Sequence, residues 1–295
     1  MTTDTLTTRH KRAARPPRPT HPRQFLRHLM LIALGVVMFY PLAWMIGASL
    51  RDDGAIGDPG IWPGDDFTTA GYAEGWRGVS GVAFGRFMLN SFAVAALCVV
   101  ANLIACSLAA YAFARVDFRL RRLWFALMIG TLMLPHHVIL IPQYMMFREF
   151  GWIDTYLPFV VPKLLATDAF FVFLLVQFFR AIPRELDDAA RLDGCGHAGI
   201  FFRVILPLAK PALATTAIFT FIYSWNDFFT PLIYLTDPQL YTVPLALRSF
   251  IDATSNSAFG ALFAMSVVSL LPVLGVFIAF QRLLVEGIAT TGLRG

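Results

Sequence analysis

Few side chains in this sequence are equipped for chemistry, and the informative ones lie inside apolar stretches. Trp225-Asn226-Asp227 sets an indole beside an amide and a carboxylate. The indole face suits the apolar side of a pyranose ring, and the two polar groups suit its hydroxyls. The same trio also reads as a structural hydrogen-bonding cluster or as the interface end of a helix; the residues alone leave both readings open. Lys163 and Asp168 do not make an ideal same-face helical pair; water at an outer interface would relieve their charge, and a transport role is the other reading. His136-His137 beside Pro135 raises metal chemistry, but adjacent histidines on a helix point apart and no third ligand stands at a usual spacing. A pore-facing role for His136 is the other reading. A phosphate-binding loop needs Gly directly before Lys, whereas Lys11, Lys163 and Lys210 follow His10, Pro162 and Ala209. With no nucleophile–base pair at a recognisable spacing either, the expectation is a chain with no catalytic residue, no metal and no cofactor.

A different kind of chemistry, docking, is written between residues 180 and 207. This stretch is polar where its neighbours are apolar, and it predicts two short helices. Pro183 suits a first helical position, where its missing N–H is not needed. Glu185, Asp187 and Asp188 then complement the positive end of the helix dipole. Gly194 supplies a stop and Pro207 ends the second piece. Ala189 and Ala190 leave a nearly bare surface that another protein's backbone can approach. The bland alternative is an amphipathic helix lying in the membrane interface.

The elements that must position these groups are membrane helices. Hydrophobic residues make up 57% of the 295 and charged residues 15%, too apolar for an ordinary soluble domain. Residues 29–49, 87–114, 123–147 and 259–280 contain no Asp, Glu, Lys or Arg. Two more blocks hold only a few charges: 156–179 with Lys163 and Asp168, and 211–235 with Asp227. Roughly 20 apolar residues cross a bilayer as a helix, so six spans are expected. The blocks show no sustained alternation, which argues against a barrel. The expected division is a disordered basic tail over 1–28, a first span over 29–50, an external loop over 51–86 and a core over 87–295. Small residues such as Ala95, Ala101, Ala105 and Ala110 place the second span inside a bundle. Pro135 and Pro142 are expected to break the third span, and Pro158 and Pro162 to delay the fourth until after Asp168.

Arginine sets the orientation. Arg9, Arg12, Arg15, Arg18, Arg23 and Arg27 precede the first span. Arg115, Arg119, Arg121 and Arg122 follow the second, and Arg180, Arg184, Arg191 and Arg203 follow the fourth. The first loop is instead acidic, with Asp52, Asp53, Asp58, Asp65, Asp66 and Glu74. The positive-inside tendency therefore puts both termini in the cytoplasm. The net charge of +5 is accounted for by these flanks, without recourse to nucleic acid. Cys98, Cys106 and Cys195 form no disulfide framework.

The interval Asp188-Ala189-Ala190, three residues, Gly194, nine residues, Val204, one residue, Leu206-Pro207 resembles the signature loop of membrane subunits of binding-protein-dependent ABC importers. The resemblance extends to Pro135 through Pro142, Gly151-Trp-Ile-Asp-Thr155, Gln177 through Arg180, Trp225 through Phe228, Tyr241 through Pro244 and Gln281 through Gly287. These segments look like the maltose-type, carbohydrate branch and cover most of the chain beyond about residue 87. Two positions depart from the pattern: Asp188 stands for the usual glutamate and Cys195 for the usual alanine.

What the resemblance implies is an all-α polytopic permease of the type I importer fold with six transmembrane helices in the cell membrane. Its expected partners are a second permease subunit, an ATPase dimer, an extracellular solute-binding protein and a sugar, within a lipid bilayer and without nucleic acid. ATP hydrolysis would belong to another chain. The ATPase-docking residues would be Glu185, Asp188, Ala189, Ala190, Asp193, Gly194 and Pro207; Trp225, Asn226, Asp227 and His136 would be candidates for the substrate pathway. A polyol or glycerol phosphoester is the alternative cargo. An ion-coupled carrier acting alone is the alternative class, and a membrane metal enzyme resting on the His pair is the third.

Overall fold

The computed structural model describes residues 22–57, 60–252 and 258–292; side chains at 22, 23, 136, 137, 252 and 282–292 also lie outside the description. Most of the expected basic tail therefore falls outside it. Helix α1 runs from Pro22 to Ala48, so residues 22–28, expected to be disordered, are helical. The chain divides into two units, one ending at Trp44 and one beginning at Met45. In the first, the helix displays apolar groups from Phe25 to Tyr40 to its surroundings, as a lipid phase requires.

In the second unit, the first loop contains α2 (Ala70–Arg77). Helix α3 (Phe84–Arg115) follows and buries Ala95, Ala101, Ala105, Ala110 and Ala114. Small side chains let the later helices approach its backbone: α6 (Leu157–Leu164), α7 (Ala169–Ala181), α11 (Lys210–Trp225) and α13 (Val243–Asp252) all pack on it. Polar ties fix their positions where apolar contact alone discriminates poorly. The Asn102 amide donates to Thr220 Oγ1 at 2.8 Å. Asn90 donates to the carbonyls of Gln239 and Tyr241 at 2.8 and 3.0 Å, and Ser91 Oγ accepts from the amide of Val243 at 2.7 Å. Helix α14 (Phe259–Gly292) packs on α2 and α11. Its contact with α2 is at backbone distance, since a Cβ on Gly71 would meet the Gly260 carbonyl at 2.7 Å.

Among the described residues, four stretches are long and apolar enough to cross a bilayer: Gln24–Ala48, Phe84–Arg115, Leu157–Ala181 and Phe259–Gln281. A fifth exists if His197–Leu208 and Lys210–Trp225, which meet at 77°, form one bent span. The third apolar block is two shorter helices, α4 (Arg121–Thr131) and α5 (His136–Glu149), an arrangement consistent with six blocks. The break between them is at Pro135, which holds extended backbone at φ −61°, ψ 125° and cannot continue a helix from Leu134.

Pro142, expected to interrupt the same block, lies inside α5; losing one ladder bond is not enough to stop a helix whose other bonds are intact. Pro158 and Pro162 likewise sit within α6, Pro158 in its first turn where no donor is missed. The fourth block breaks later, across residues 165–168, where Ala166 takes the left-handed conformation at φ 55°. Among the described residues there is no β-strand, only isolated bridges at Arg51–Phe67 and Val79–Val82.

Candidate functional site

The segment expected to dock forms as a short amphipathic helix, α8 (Glu185–Leu192), with Glu185, Asp187 and Asp188 in its first turn and Arg191 in its last. Its end is a Schellman motif: the Cys195 amide donates to the Ala190 carbonyl at 2.9 Å and the Gly194 amide to Arg191 at 3.0 Å. That geometry places Gly194 at φ 82°, a left-handed position where a Cβ is strained. The chain then re-enters as α9 (His197–Ile200), a π turn over Phe201–Ile205 and α10 (Leu206–Leu208). Pro207 lies within α10, so the second piece runs one residue past it and bends at Ala209 before α11.

The two faces of α8 have different roles. Asp187 and Ala190 turn inward, Ala190 onto a cluster that includes Ile182, Ile200, Phe201 and Ile205. Glu185, Asp188, Ala189, Asp193 and Gly194 are exposed, and Asp188 pairs with Arg191 at 3.1 Å. Of the expected alanine pair, then, Ala189 alone presents a bare surface. Leu192 at the tip is 90% exposed. Sequence reasoning passed over it, although an apolar residue one turn after the acidic start and just before the glycine stop was a usable signal.

Beneath α8, Arg115 at the end of α3 donates through Nη2 to the Ile182 carbonyl at 2.7 Å, and its Nε is 3.4 Å from Asp187 Oδ2. The Tyr111 hydroxyl meets His197 Nδ1 at 3.2 Å, and its ring packs edge-on against Phe201. Helix α8 is thus fastened to α3 by a buried ion pair, and the piece that follows it is fastened to α3 by an aromatic contact.

A cavity of about 770 Å³ opens between α3, α5, α6, α7 and α11. Lys163 and Asp168 face it as an ion pair at 2.9 Å, each about three-quarters buried. The left-handed turn at Ala166 is what brings them together, a contact that helical spacing did not foretell. Asp227 also lines the cavity, with one carboxylate oxygen accepting the Thr230 amide at 3.1 Å. Gln143, Thr167 and Ser224 add hydrogen-bonding groups, and Phe159, Phe171 and Tyr234 add aromatic walls. One ammonium stands against two carboxylates.

The other members of the expected substrate cluster lie elsewhere. Trp225 is 3% exposed; its Nε1 donates to the Ser269 carbonyl at 3.2 Å and its ring stacks on Phe221. It serves the packing of α11 on α14 and does not line the cavity. Asn226 is exposed and donates to the Ile222 carbonyl at 2.9 Å. The His136 side chain lies outside the described residues, and no group of three metal-ligating side chains occurs among those described.

At the opposite end from α8, Asp154 in the α5–α6 connection accepts the amide and hydroxyl of Thr236, both at 2.5 Å, and the amide of Asp237 at 3.0 Å. Those three donors hold its carboxyl below the usual carboxylate range.

A bundle of broken apolar helices around a polar cavity, with an amphipathic helix projecting at one end, defines a membrane transport component. Residues 101–290 match the family described as the binding-protein-dependent transport system inner membrane component, and the chain belongs to that family. It is 32% identical over 273 residues to the probable ABC transporter permease protein YurM of Bacillus subtilis, covering 90% of this chain and 86% of the relative. The arabinooligosaccharides permease AraQ of Halalkalibacterium halodurans is 32% identical, with 92% and 97% covered. The sn-glycerol-3-phosphate permease UgpE of Agrobacterium fabrum is 30% identical, with 90% and 96% covered. The fold matches a chain of a bacterial ABC transporter that imports alginate, with a TM-score of 0.77 at 22% identity, over 92% of this chain and 99% of that one. The protein is a multi-pass permease of the cell membrane, a transport component.

Proposed function

We propose that this chain is one of two permease subunits of an ATP-driven importer for a neutral sugar or oligosaccharide, which an extracellular solute-binding protein delivers. The cavity carries the reading. Aromatic faces beside amide, hydroxyl and carboxylate groups suit a ring with one apolar side and a hydroxylated rim. Its formal excess of one negative charge disfavours a phosphoester, so the geometry weighs against the glycerol phosphoester alternative and leaves a neutral polyol open. The arabinooligosaccharide and diacetylchitobiose permeases among its relatives agree in cargo class, whereas the equally similar sn-glycerol-3-phosphate permeases carry the phosphoester.

ATP hydrolysis falls to a partner ATPase dimer. The exposed face of α8, with Glu185, Asp188, Ala189 and Asp193 around Leu192, is the surface it would engage, and Gly194 and Pro207 set the segment's shape. The ion pair and Schellman turn make α8 stiff enough to pass a displacement to α3 and thence to the cavity-lining helices. Both termini lie in the cytoplasm, on the arginine-rich side.

Purification of the tagged chain from native membranes tests this. A second permease and an ATPase should accompany it, and vesicles containing them should take up sugar only with internal ATP and binding protein. Uptake by the isolated chain, insensitive to ATP and abolished by a proton uncoupler, would instead establish a solitary ion-coupled carrier.

A further inference from the structure

A second concavity, of about 380 Å³, lies at the α8 end of the bundle, apart from the large cavity. Arg115, Arg121, Arg122, Arg180 and Arg184 line it, together with Ala114 and Phe125. The arginines converge from the end of α3, the start of α4, the end of α7 and the residue capping α8. A positive-inside bias explains arginine at this end of the protein. It does not explain why four elements aim guanidinium groups at one space, which concentrates like charge.

The internal partners leave that charge undersatisfied. Arg115 has a side chain only 2% exposed; it pairs with Asp187, yet its Nε makes no hydrogen bond. Arg121 pairs with Asp117 at 2.7 Å. Arg180 donates to the Phe113 carbonyl at 3.3 Å and lies over the Phe125 ring at 5.3 Å. Arg122 and Arg184 make no ion pair with a carboxylate among the described residues. Five guanidinium groups therefore face two carboxylates, and an anion with several acceptor oxygens is the natural complement. The planar arginine fork matches phosphate oxygens two at a time.

The surroundings distinguish a lipid phosphate from a soluble one. Just beyond Arg122, α4 exposes Leu123, Trp124 and Leu127. An apolar ledge with a tryptophan is the composition found where acyl chains meet headgroups. A soluble anion has no use for that ledge, whereas a phospholipid would lay its chains along it.

We propose that this arginine cavity binds the phosphate headgroup of an anionic phospholipid. Its leaflet follows from the orientation proposed above, but the binding chemistry does not depend on it, and neither does the test. The full-length protein in mild detergent would be titrated with phosphatidylglycerol, phosphatidylcholine and inorganic phosphate. Retained lipid would be counted by native mass spectrometry and melting temperature followed in parallel. Phosphatidylglycerol should bind at least tenfold more tightly than phosphatidylcholine. Arg122→Gln/Arg184→Gln should weaken it roughly 10- to 30-fold, while Arg122→Lys/Arg184→Lys should keep most of the preference. Equal binding of the two lipids by the unaltered protein overturns the site without reference to any variant. So does undiminished phosphatidylglycerol binding by the glutamine variant. Equal stabilisation by inorganic phosphate would reassign the cavity to a soluble anion and overturn the lipid assignment. None of these readouts involves transport, so failure of the importer reading would leave them intact.

Discussion

Arg115 Nε lies 3.4 Å from Asp187 Oδ2, with side chains 2% and 7% exposed, so the last turn of α3 and helix α8 share a desolvated charge pair. A pair of this kind adds little net stability against apolar groups of the same size, but half of it is costly to leave behind. Arg115→Met or Asp187→Leu alone should lower unfolding stability by about 3–5 kcal/mol. The double replacement should recover most of the loss, as denaturant or thermal unfolding in detergent would read. If α8 transmits force through this pair, the stable double variant should bind the ATPase but couple it poorly, with hydrolysis that no longer responds to binding protein. Normal coupling in the double variant would confine the pair to a structural role.

Gly194 tests the proposed docking role of α8 more sharply. At φ 82° an alanine is strained by about 1–3 kcal/mol, so Gly194→Ala should weaken ATPase co-purification without abolishing it. Gly194→Pro cannot reach this φ and also removes the amide that bonds to Arg191. It should insert normally, yet release the ATPase and abolish uptake. Retained ATPase would show that docking does not depend on this turn.

These two sites differ in how far the sequence announces them. Gly194 follows an acidic-start, basic-end helix and reads directly as its stop. The small residues of α3 likewise read as an interior helix, because only a buried helix needs so little side-chain bulk. The Arg115–Asp187 pair has no periodic signature; it exists because the chain returns under the end of α3. Lys163 and Asp168 looked mismatched because helical spacing presumes an unbroken helix, and the turn at Ala166 carries no Gly or Pro to announce the break. The facing of Trp225 was equally hidden. An indole at that point on α11 satisfies a substrate cluster or a core, and only the Ser269 carbonyl on α14 decides for the core. Trp225→Phe should accordingly cost about 1 kcal/mol of stability and change uptake little.

Asp154 makes the end of the fold opposite α8 pH-dependent. Donors from Thr236 and Asp237 depress its folded carboxyl below the unfolded value of 3.8. A depressed pKa contributes stability that is complete above the unfolded value and is lost as pH falls through the folded one. Asp154→Asn should therefore melt lower than the unaltered protein at about pH 6, and the gap should close as pH falls below the unfolded value. A gap independent of pH would assign the effect to shape and not to the carboxylate.

Asp227 gives the cavity its excess negative charge, because Lys163 and Asp168 neutralise each other across 2.9 Å. A carboxylate there repels an anionic sugar through a partly desolvated space, where two unit charges 4 Å apart interact by about 4 kcal/mol at an effective dielectric near 20. Neutral sugars meet no such barrier and gain a hydrogen-bond acceptor. ATP-driven vesicle uptake should favour a neutral oligosaccharide over a uronate of similar length when both are presented at saturating binding-protein occupancy. Asp227→Asn keeps an acceptor oxygen for the Thr230 amide while removing the charge, so the fold should survive. The preference should then narrow about tenfold, equivalent to about 1.4 kcal/mol, mainly through faster uronate entry. Lys163→Met should act in the opposite direction, leaving Asp168 unpaired and the cavity more negative. If both substitutions leave the ratio of neutral to anionic uptake unchanged, the solute does not pass these residues and the path lies on the partner permease.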